Sequence, residues 1–192
     1  QGFDMAAAGP GSAKAVHWFA EASRLAYADR GRYLADADFV DVPVEGLIDP
    51  AYLAKRRRLI DPAAAMPDEA VVPGDPPSQH ALNRGDHVGR EIPATSHMTI
   101  VDAQGRVVSF TTTVQIAFGS MLMVEGFLLN NELTDFSFRL EDGEGRPIAN
   151  RPEPGKRPRS SMSPVIAFDA EGRFKLAVGS PGGSSISAYV AK

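Results

Sequence analysis

Between residues 61 and 94 the chain cannot hold one regular element. Pro62, Pro67, Pro73, Pro76, Pro77 and Pro93 fall there, with Gly74, Gly85 and Gly89 among them. Each proline removes a backbone donor, fixes its own φ and pushes the preceding residue away from helix. The segment is expected to be a long exposed loop or linker, a length that inside a domain usually means function or disorder. It divides a half with helical periodicity from a half with strand periodicity.

Upstream, residues 12–34 read as a helix. Ser12 follows Gly9-Pro10-Gly11 and can cap the first turn. Val16, Phe19, Ala20, Ser23 and Tyr27 form one stripe at helical spacing, and Trp18, Ala22 and Leu25 form a second. A helix apolar on two sides is expected to be covered on two sides. A second helix is expected over about residues 50–60. It carries Lys55-Arg56-Arg57-Arg58, which reads as a solvated face.

Downstream, strand patterns begin at Thr95. His97–Val101 and Arg106–Gln115 flank Asp102-Ala103-Gln104-Gly105, a turn with Asp first and Gly last. In the longer strand Val108, Phe110, Thr112 and Val114 share one face. Val107, Ser109, Thr111, Thr113 and Gln115 share the other, a face of hydroxyls and an amide that is unusual for structure alone. Gly126–Leu129 is a further strand. Val165–Phe168 and Arg173–Val178 repeat the hairpin chemistry around Asp169-Ala170-Glu171-Gly172, and Gly182-Gly183 opens a helix. Helices, a long loop and antiparallel hairpins predict an α+β domain with helices layered on sheet.

Composition narrows the function classes. The net charge is -4, against a nucleic-acid partner, which calls for a basic face. The absence of cysteine removes disulfides, thiolate catalysis and Cys-ligated zinc. His17, His80, His87 and His97 lack metal-ligand spacing. No stretch approaches the roughly 18 apolar residues of a membrane-spanning helix. The chain starts without Met and stops within a helical pattern, so a central fragment is expected.

Several positions can carry chemistry. Thr95 follows Glu91-Ile92-Pro93-Ala94 where loop becomes strand. It is either a β-branched residue starting a strand or a latent nucleophile. Cutting the chain before it would give one residue a hydroxyl and an α-amine, a self-sufficient nucleophile–base pair. Glu132 and Asp135 are three apart. They are either helix-start acids or a receiver for a substrate ammonium. Ser160 and Ser161 are turn formers or donors to a carboxylate. Gly179-Ser180-Pro181-Gly182-Gly183 is a plain strand-to-helix turn or a backbone nest for an oxyanion. His97 alternates onto the Thr95 face and reads as structural support.

Four motifs in order resemble the γ-glutamyltransferase family. They are Thr95-Ser96-His97, the run from Leu129 to Ser137, the run from Gly155 to Pro164, and Gly179 to Gly183. Glu21 to Arg30 is similar to the last part of the family's large chain. The resemblance covers nearly the whole sequence. It implies an N-terminal nucleophile hydrolase, an αββα four-layer sandwich, incomplete here at both ends. Residues 1–94 would be the end of a large-subunit region with its pre-cleavage loop over about 61–94, and 95–192 the start of the small-subunit catalytic region. Autocleavage would fall at Ala94–Thr95.

By that resemblance Thr95 is the nucleophile and forms a γ-glutamyl ester, while Thr113 positions its amine. Glu132 and Asp135 bind the substrate α-amino group, Ser160 and Ser161 contact its carboxylate and nearby backbone, and Gly182 and Gly183 supply oxyanion-hole N–H groups. The implied partners are a γ-glutamyl compound such as glutathione, a water, amino-acid or peptide acceptor, and the remainder of a longer chain. No cofactor or metal is implied. The family's bacterial members are commonly exported, which points to a periplasmic or secreted protein.

Three departures stand out. Gln115 occupies a position usually held by Asn and belongs with the substrate-binding residues. Ser120–Glu125 is slightly short. No Tyr lies between Ser137 and Gly155, so an aromatic lid is missing. An acylase acting on other amides such as β-lactam side chains stays open, as does a non-catalytic precursor fragment.

Overall fold

A computed structural model describes residues 2–78, 83–87 and 94–192. Glu91, Ile92 and Pro93, which lead toward the expected cleavage bond, lie outside the described residues. The chain divides into two units, Gln1–Val88 with Ser137–Arg157, and Gly89–Phe136 with Pro158–Lys192. The described residues contain both helices and antiparallel strands, the expected α+β class.

The first unit is helical. Its elements are α1 (Met5–Ala8), α2 (Ala13–Tyr33), α3 (Val44–Ile48) and α4 (Pro50–Arg57). Ser12 caps α2 by accepting from the Ala15 N–H at 3.1 Å, and Asp49 caps α4 through the Tyr52 N–H at 2.8 Å. Such side-chain caps satisfy donors that the first helical turn leaves open. One stripe of α2 is buried: Ala15, Trp18, Glu21, Leu25, Asp29 and Tyr33. Trp18, Leu25, Ile60 and Met66 form the core, and Phe3 stacks on Trp18 with ring centroids 4.7 Å apart.

The stripe of Val16, Phe19, Ala20, Ser23 and Tyr27 is not a core face, since Val16 is exposed and none of the others is buried. The buried stripe instead carries two carboxylates, which apolar periodicity could not select. The described segment after residue 61 is mostly exposed, and those carboxylates anchor it at two points. Glu21 accepts from the Met66 N–H at 2.8 Å, and Met66 is buried. Asp29 accepts from the Gly74 N–H at 2.7 Å, while the Tyr33 hydroxyl donates to the Gly74 carbonyl at 2.7 Å. Residues 66–74 are thus pinned to α2. The basic run also divides: Arg56 is buried and reaches Asp29 at 3.1 Å, whereas Lys55, Arg57 and Arg58 are exposed.

The second unit holds β1 (Ser96–Val101), β2 (Val107–Thr112), β3 (Met123–Val124), β4 (Phe127–Leu128), β5 (Val165–Phe168), β6 (Phe174–Val178) and α5 (Ile186–Ala191). These strands pair as three antiparallel hairpins. The Ser109 hydroxyl of β2 donates to the Val178 carbonyl of β6 at 3.4 Å. The alternation of β2 is as the sequence predicts, but its apolar side is the wetter one. Val107, Ser109 and Thr111 are partly covered, whereas Val108 and Phe110 are exposed.

One turn occurs three times among the described residues. In Asp102–Arg106, Asp142–Arg146 and Asp169–Arg173 the Asp carboxylate accepts the N–H groups two and four residues on. It also receives the guanidinium four residues on. Backbone hydrogen bonds from Arg106 and Arg173 hold the Asp102 and Asp169 carboxyls below their ordinary values. The middle turn escapes sequence reading because no alternating strands flank it.

Candidate active site

The antiparallel register places the site. Ser96 pairs with Thr112, so one further step along each strand sets Thr95 opposite Thr113. The Thr95 hydroxyl donates to the Ala94 carbonyl oxygen at 2.7 Å. The Thr113 hydroxyl donates to that same oxygen at 2.7 Å and accepts the Gln115 N–H at 2.8 Å. The carbonyl of the Ala94–Thr95 peptide bond, whose C–N bond a cut before Thr95 would break, therefore receives hydrogen bonds from two hydroxyls.

Gln115 is buried and sits in the left-handed region with φ 77°. For a residue with a side chain that conformation costs about 1–2 kcal/mol. Two interactions hold it there: its N–H on Thr113 and its side-chain amide donating to Asp135.

Asp135 and Glu132 end and begin one 3₁₀ turn, Glu132–Asp135. Three residues per turn stack positions i and i+3, so both carboxyls lie on one side. The preceding asparagines explain why the turn forms here. Asn130 accepts the Glu132 N–H through its side chain at 2.9 Å. Asn131 accepts the Ile116 N–H at 3.1 Å and donates its own N–H to the Val114 carbonyl at 3.3 Å. The acidic turn is thereby tied to the end of the β2 segment. Burial pushes the Glu132 carboxyl above its ordinary value, and a hydrogen bond with Asp135 offsets part of that.

The remaining residues come from the other end of the unit. Ser160 is exposed, and its hydroxyl accepts the Met162 N–H at 3.2 Å. Ser161 is buried, and its carbonyl accepts the Ser163 hydroxyl at 2.9 Å. Gly182 and Gly183 have φ 139° and 57° and lead through a 3₁₀ turn, Gly183–Ser185, into α5. A Cβ on Gly182 would stand 2.6 Å from the Tyr189 ring, so only glycine fits.

Thr95, Thr113, Gln115, Glu132 and Asp135 line one cleft of about 20 Å³, together with Ser160, Ser161 and Gly183. That is room for about one water. Gly182 is next to the cleft wall without lining it. Met162 and Ile186 complete the lining and were not selected from sequence. Apolar residues inside a serine-rich loop and at a helix start carry no chemical signature. His97 is held at both ring nitrogens, Nδ1 to Thr111 at 2.8 Å and Nε2 to Thr99 at 3.1 Å. It packs under Gly179, where a Cβ would lie 2.1 Å from the imidazole. The imidazole does not line the cleft. Among the described residues no group of three or more acidic or histidine side chains gathers as metal ligands would, and no helix is long and apolar enough to cross a membrane.

Comparison with known proteins gives a consistent set of relatives. The glutathione hydrolase proenzyme of Pseudomonas aeruginosa is 43% identical over 181 residues, which is 91% of this chain and 30% of that protein. The acylase ACY 1 proenzyme of a Pseudomonas species is 38% identical over 184 residues, 95% of this chain and 29% of that protein. A crystal structure of a Helicobacter pylori gamma-glutamyltranspeptidase mutant aligns with 42% identity and a TM-score of 0.42, covering 50% of this chain and 54% of that one. The chain thus spans about 30% of the length of the curated relatives it matches. The gamma-glutamyltranspeptidase family model matches residues 1–192, and the chain belongs to that family of enzymes.

Proposed function

We propose that the protein to which these residues belong hydrolyses or transfers γ-glutamyl groups from glutathione-like amides, using Thr95 as a nucleophile freed by self-cleavage. The observation that carries this reading is the convergence of the Thr95 and Thr113 hydroxyls on the Ala94 carbonyl oxygen, in a chain of this family.

Self-cleavage is an acyl shift followed by hydrolysis. Thr95 Oγ1 attacks the Ala94 carbonyl carbon, and its proton passes to the Thr95 nitrogen as the C–N bond breaks. The product is an ester between Ala94 and Thr95 Oγ1, with a free amine on Thr95. Water then cleaves the ester and leaves an Ala94 carboxylate. Thr113 steadies the negative charge on the Ala94 oxygen during the first step and afterwards orients the Thr95 amine.

In turnover that amine, whose unperturbed pKa is about 7.7–8.0, takes the Thr95 hydroxyl proton. Oγ1 attacks the γ-carbonyl of the donor, and N–H groups at Gly182 and Gly183 receive the oxyanion. The donor's amine leaves with a proton, leaving a γ-glutamyl ester. Water, an amino acid or a peptide then attacks the ester and restores Thr95. Glu132 and Asp135 hold the donor's α-ammonium, with Gln115 beside them. Ser160 and Ser161 face its α-carboxylate and nearby backbone. Residues 1–94 and 95–192 then belong to the large and small subunits of a mature enzyme with an αββα sandwich.

The test uses the full-length parent protein. Intact mass and N-terminal sequencing are expected to give a small chain beginning at Thr95, and the cleaved protein to release p-nitroaniline from γ-glutamyl-p-nitroanilide. Thr95→Ala should remain uncut and inactive. A Thr95→Ala protein indistinguishable from wild type removes the nucleophile assignment.

A further inference from the structure

We propose that Gln115 sets the donor class: its amide takes the place at Asp135 that a donor's α-ammonium would fill, so the site also accepts amides of dicarboxylic acids without an α-amino group, such as glutaryl amides. The proposal rests on the reading of Glu132 and Asp135 as the donor's ammonium site.

Three observations carry it. First, Gln115 is buried, and its side-chain amide already donates to Asp135. Second, its backbone is fixed. The φ of 77° and the N–H bond to Thr113 fix where the side chain starts, and its burial and its bond to Asp135 hold the far end. Third, the two carboxyls are tied to each other. Glu132 and Asp135 share a hydrogen bond, and burial favours the neutral form of Glu132. Gln115 already hydrogen-bonds the Asp135 member of that pair. Among the described residues no Lys, Arg or His lines the cleft.

A site whose acid is already bonded gains less from an incoming ammonium and loses less when a donor lacks one. That logic follows from the asymmetry of hydrogen-bond energetics: a buried acceptor left unsatisfied costs more than a satisfied one gains. An Asn side chain at position 115 is one methylene shorter. It would leave Asp135 to be satisfied by the donor, and it tolerates the left-handed backbone.

The experiment compares γ-glutamyl-p-nitroanilide with glutaryl-p-nitroanilide, which differ only by the α-amino group, on the self-cleaved full-length parent. Wild type is expected to show kcat/KM values within about tenfold of each other. Gln115→Asn should shift the ratio toward the γ-glutamyl donor by about tenfold or more, the range of one hydrogen bond to a charged group. Gln115→Gly, which suits the backbone and removes the amide altogether, should shift it the same way. Intact mass establishes that each protein compared has been cleaved before Thr95. γ-Glutamyl turnover with a ratio that moves by less than about threefold in both variants, within the scatter of ordinary substitutions, overturns the proposal and leaves the γ-glutamyl reading standing. Cleaved protein that turns over neither donor removes that reading and this proposal with it.

Discussion

Removal of the Asp29 carboxylate should strongly destabilise the first unit. Asp29 accepts the Tyr52 hydroxyl at 2.7 Å, Arg56 Nη2 at 3.1 Å and the Gly74 N–H at 2.7 Å. The side chains of Arg56 and Asp29 are only 9% and 10% exposed. In Asp29→Ala, Arg56 keeps the Leu25 and Val72 carbonyls at 3.1 and 2.9 Å but loses its counter-ion. Breaking a buried pair from one side costs about 3–5 kcal/mol, a large share of the roughly 5–15 kcal/mol that holds a domain together. Asp29→Asn keeps the shape and should cost about 1.5–3 kcal/mol. The double variant Asp29→Ala with Arg56→Met should be more stable than Asp29→Ala alone, because the stranded charge is gone. Urea denaturation followed by circular dichroism measures all three, and hydrogen exchange at Gly74 should accelerate in each. A cost below about 1 kcal/mol for Asp29→Ala, or no recovery in the double variant, would refute the reasoning.

Other expectations follow from single contacts. The Arg157 guanidinium and N–H hold the Asp36 carboxyl well below the usual carboxylate range. Its contribution is therefore complete above the unfolded carboxyl's value of about 3.9 and is lost as pH falls below it. Asp36→Asn should flatten that part of a stability–pH profile. Gly119→Ala places a Cβ 2.1 Å from the Leu129 carbonyl at a φ of 54°, and thermal melting should show a loss of at least about 1 kcal/mol. His97→Ala forfeits contacts to Thr111 and Thr99, about 2 kcal/mol together. It should lower the melting temperature while leaving turnover per cleaved molecule unchanged.

The local devices were legible in the sequence because they depend on near neighbours. Ser12 announces α2, and Asp102 and Asp169 announce their turns. The two carboxyls of Glu132 and Asp135 share a side because their spacing fits one turn. The gathering of Thr95, Thr113, Gln115, Glu132, Asp135, Ser160, Ser161 and Gly183 in one cleft was accessible only through the order of the motifs, since periodicity cannot bring residue 95 to residue 183. The unreadable parts are long-range polar contacts. Glu21 and Asp29 look like solvent-facing acids until Met66 and Gly74 reach them from more than forty positions away. Arg56 looks like one charge in a solvated run until Asp29 withdraws it from water. The Asp135 partner of Gln115 lies twenty residues downstream, and only folding reveals that the longer amide has something to reach.

The wet side of the hairpins has a calorimetric consequence. Ile100, Phe110, Phe168 and Leu176 are 54%, 48%, 60% and 52% exposed in the folded chain. Their hydration changes less on unfolding than that of core residues, and the heat-capacity increment of unfolding comes chiefly from newly wetted apolar surface. Studied apart from the longer protein, the second unit should therefore unfold with a small increment for its length. Its enthalpy of unfolding would vary little with temperature, giving a flatter stability curve than a fully buried sheet of the same sequence would have.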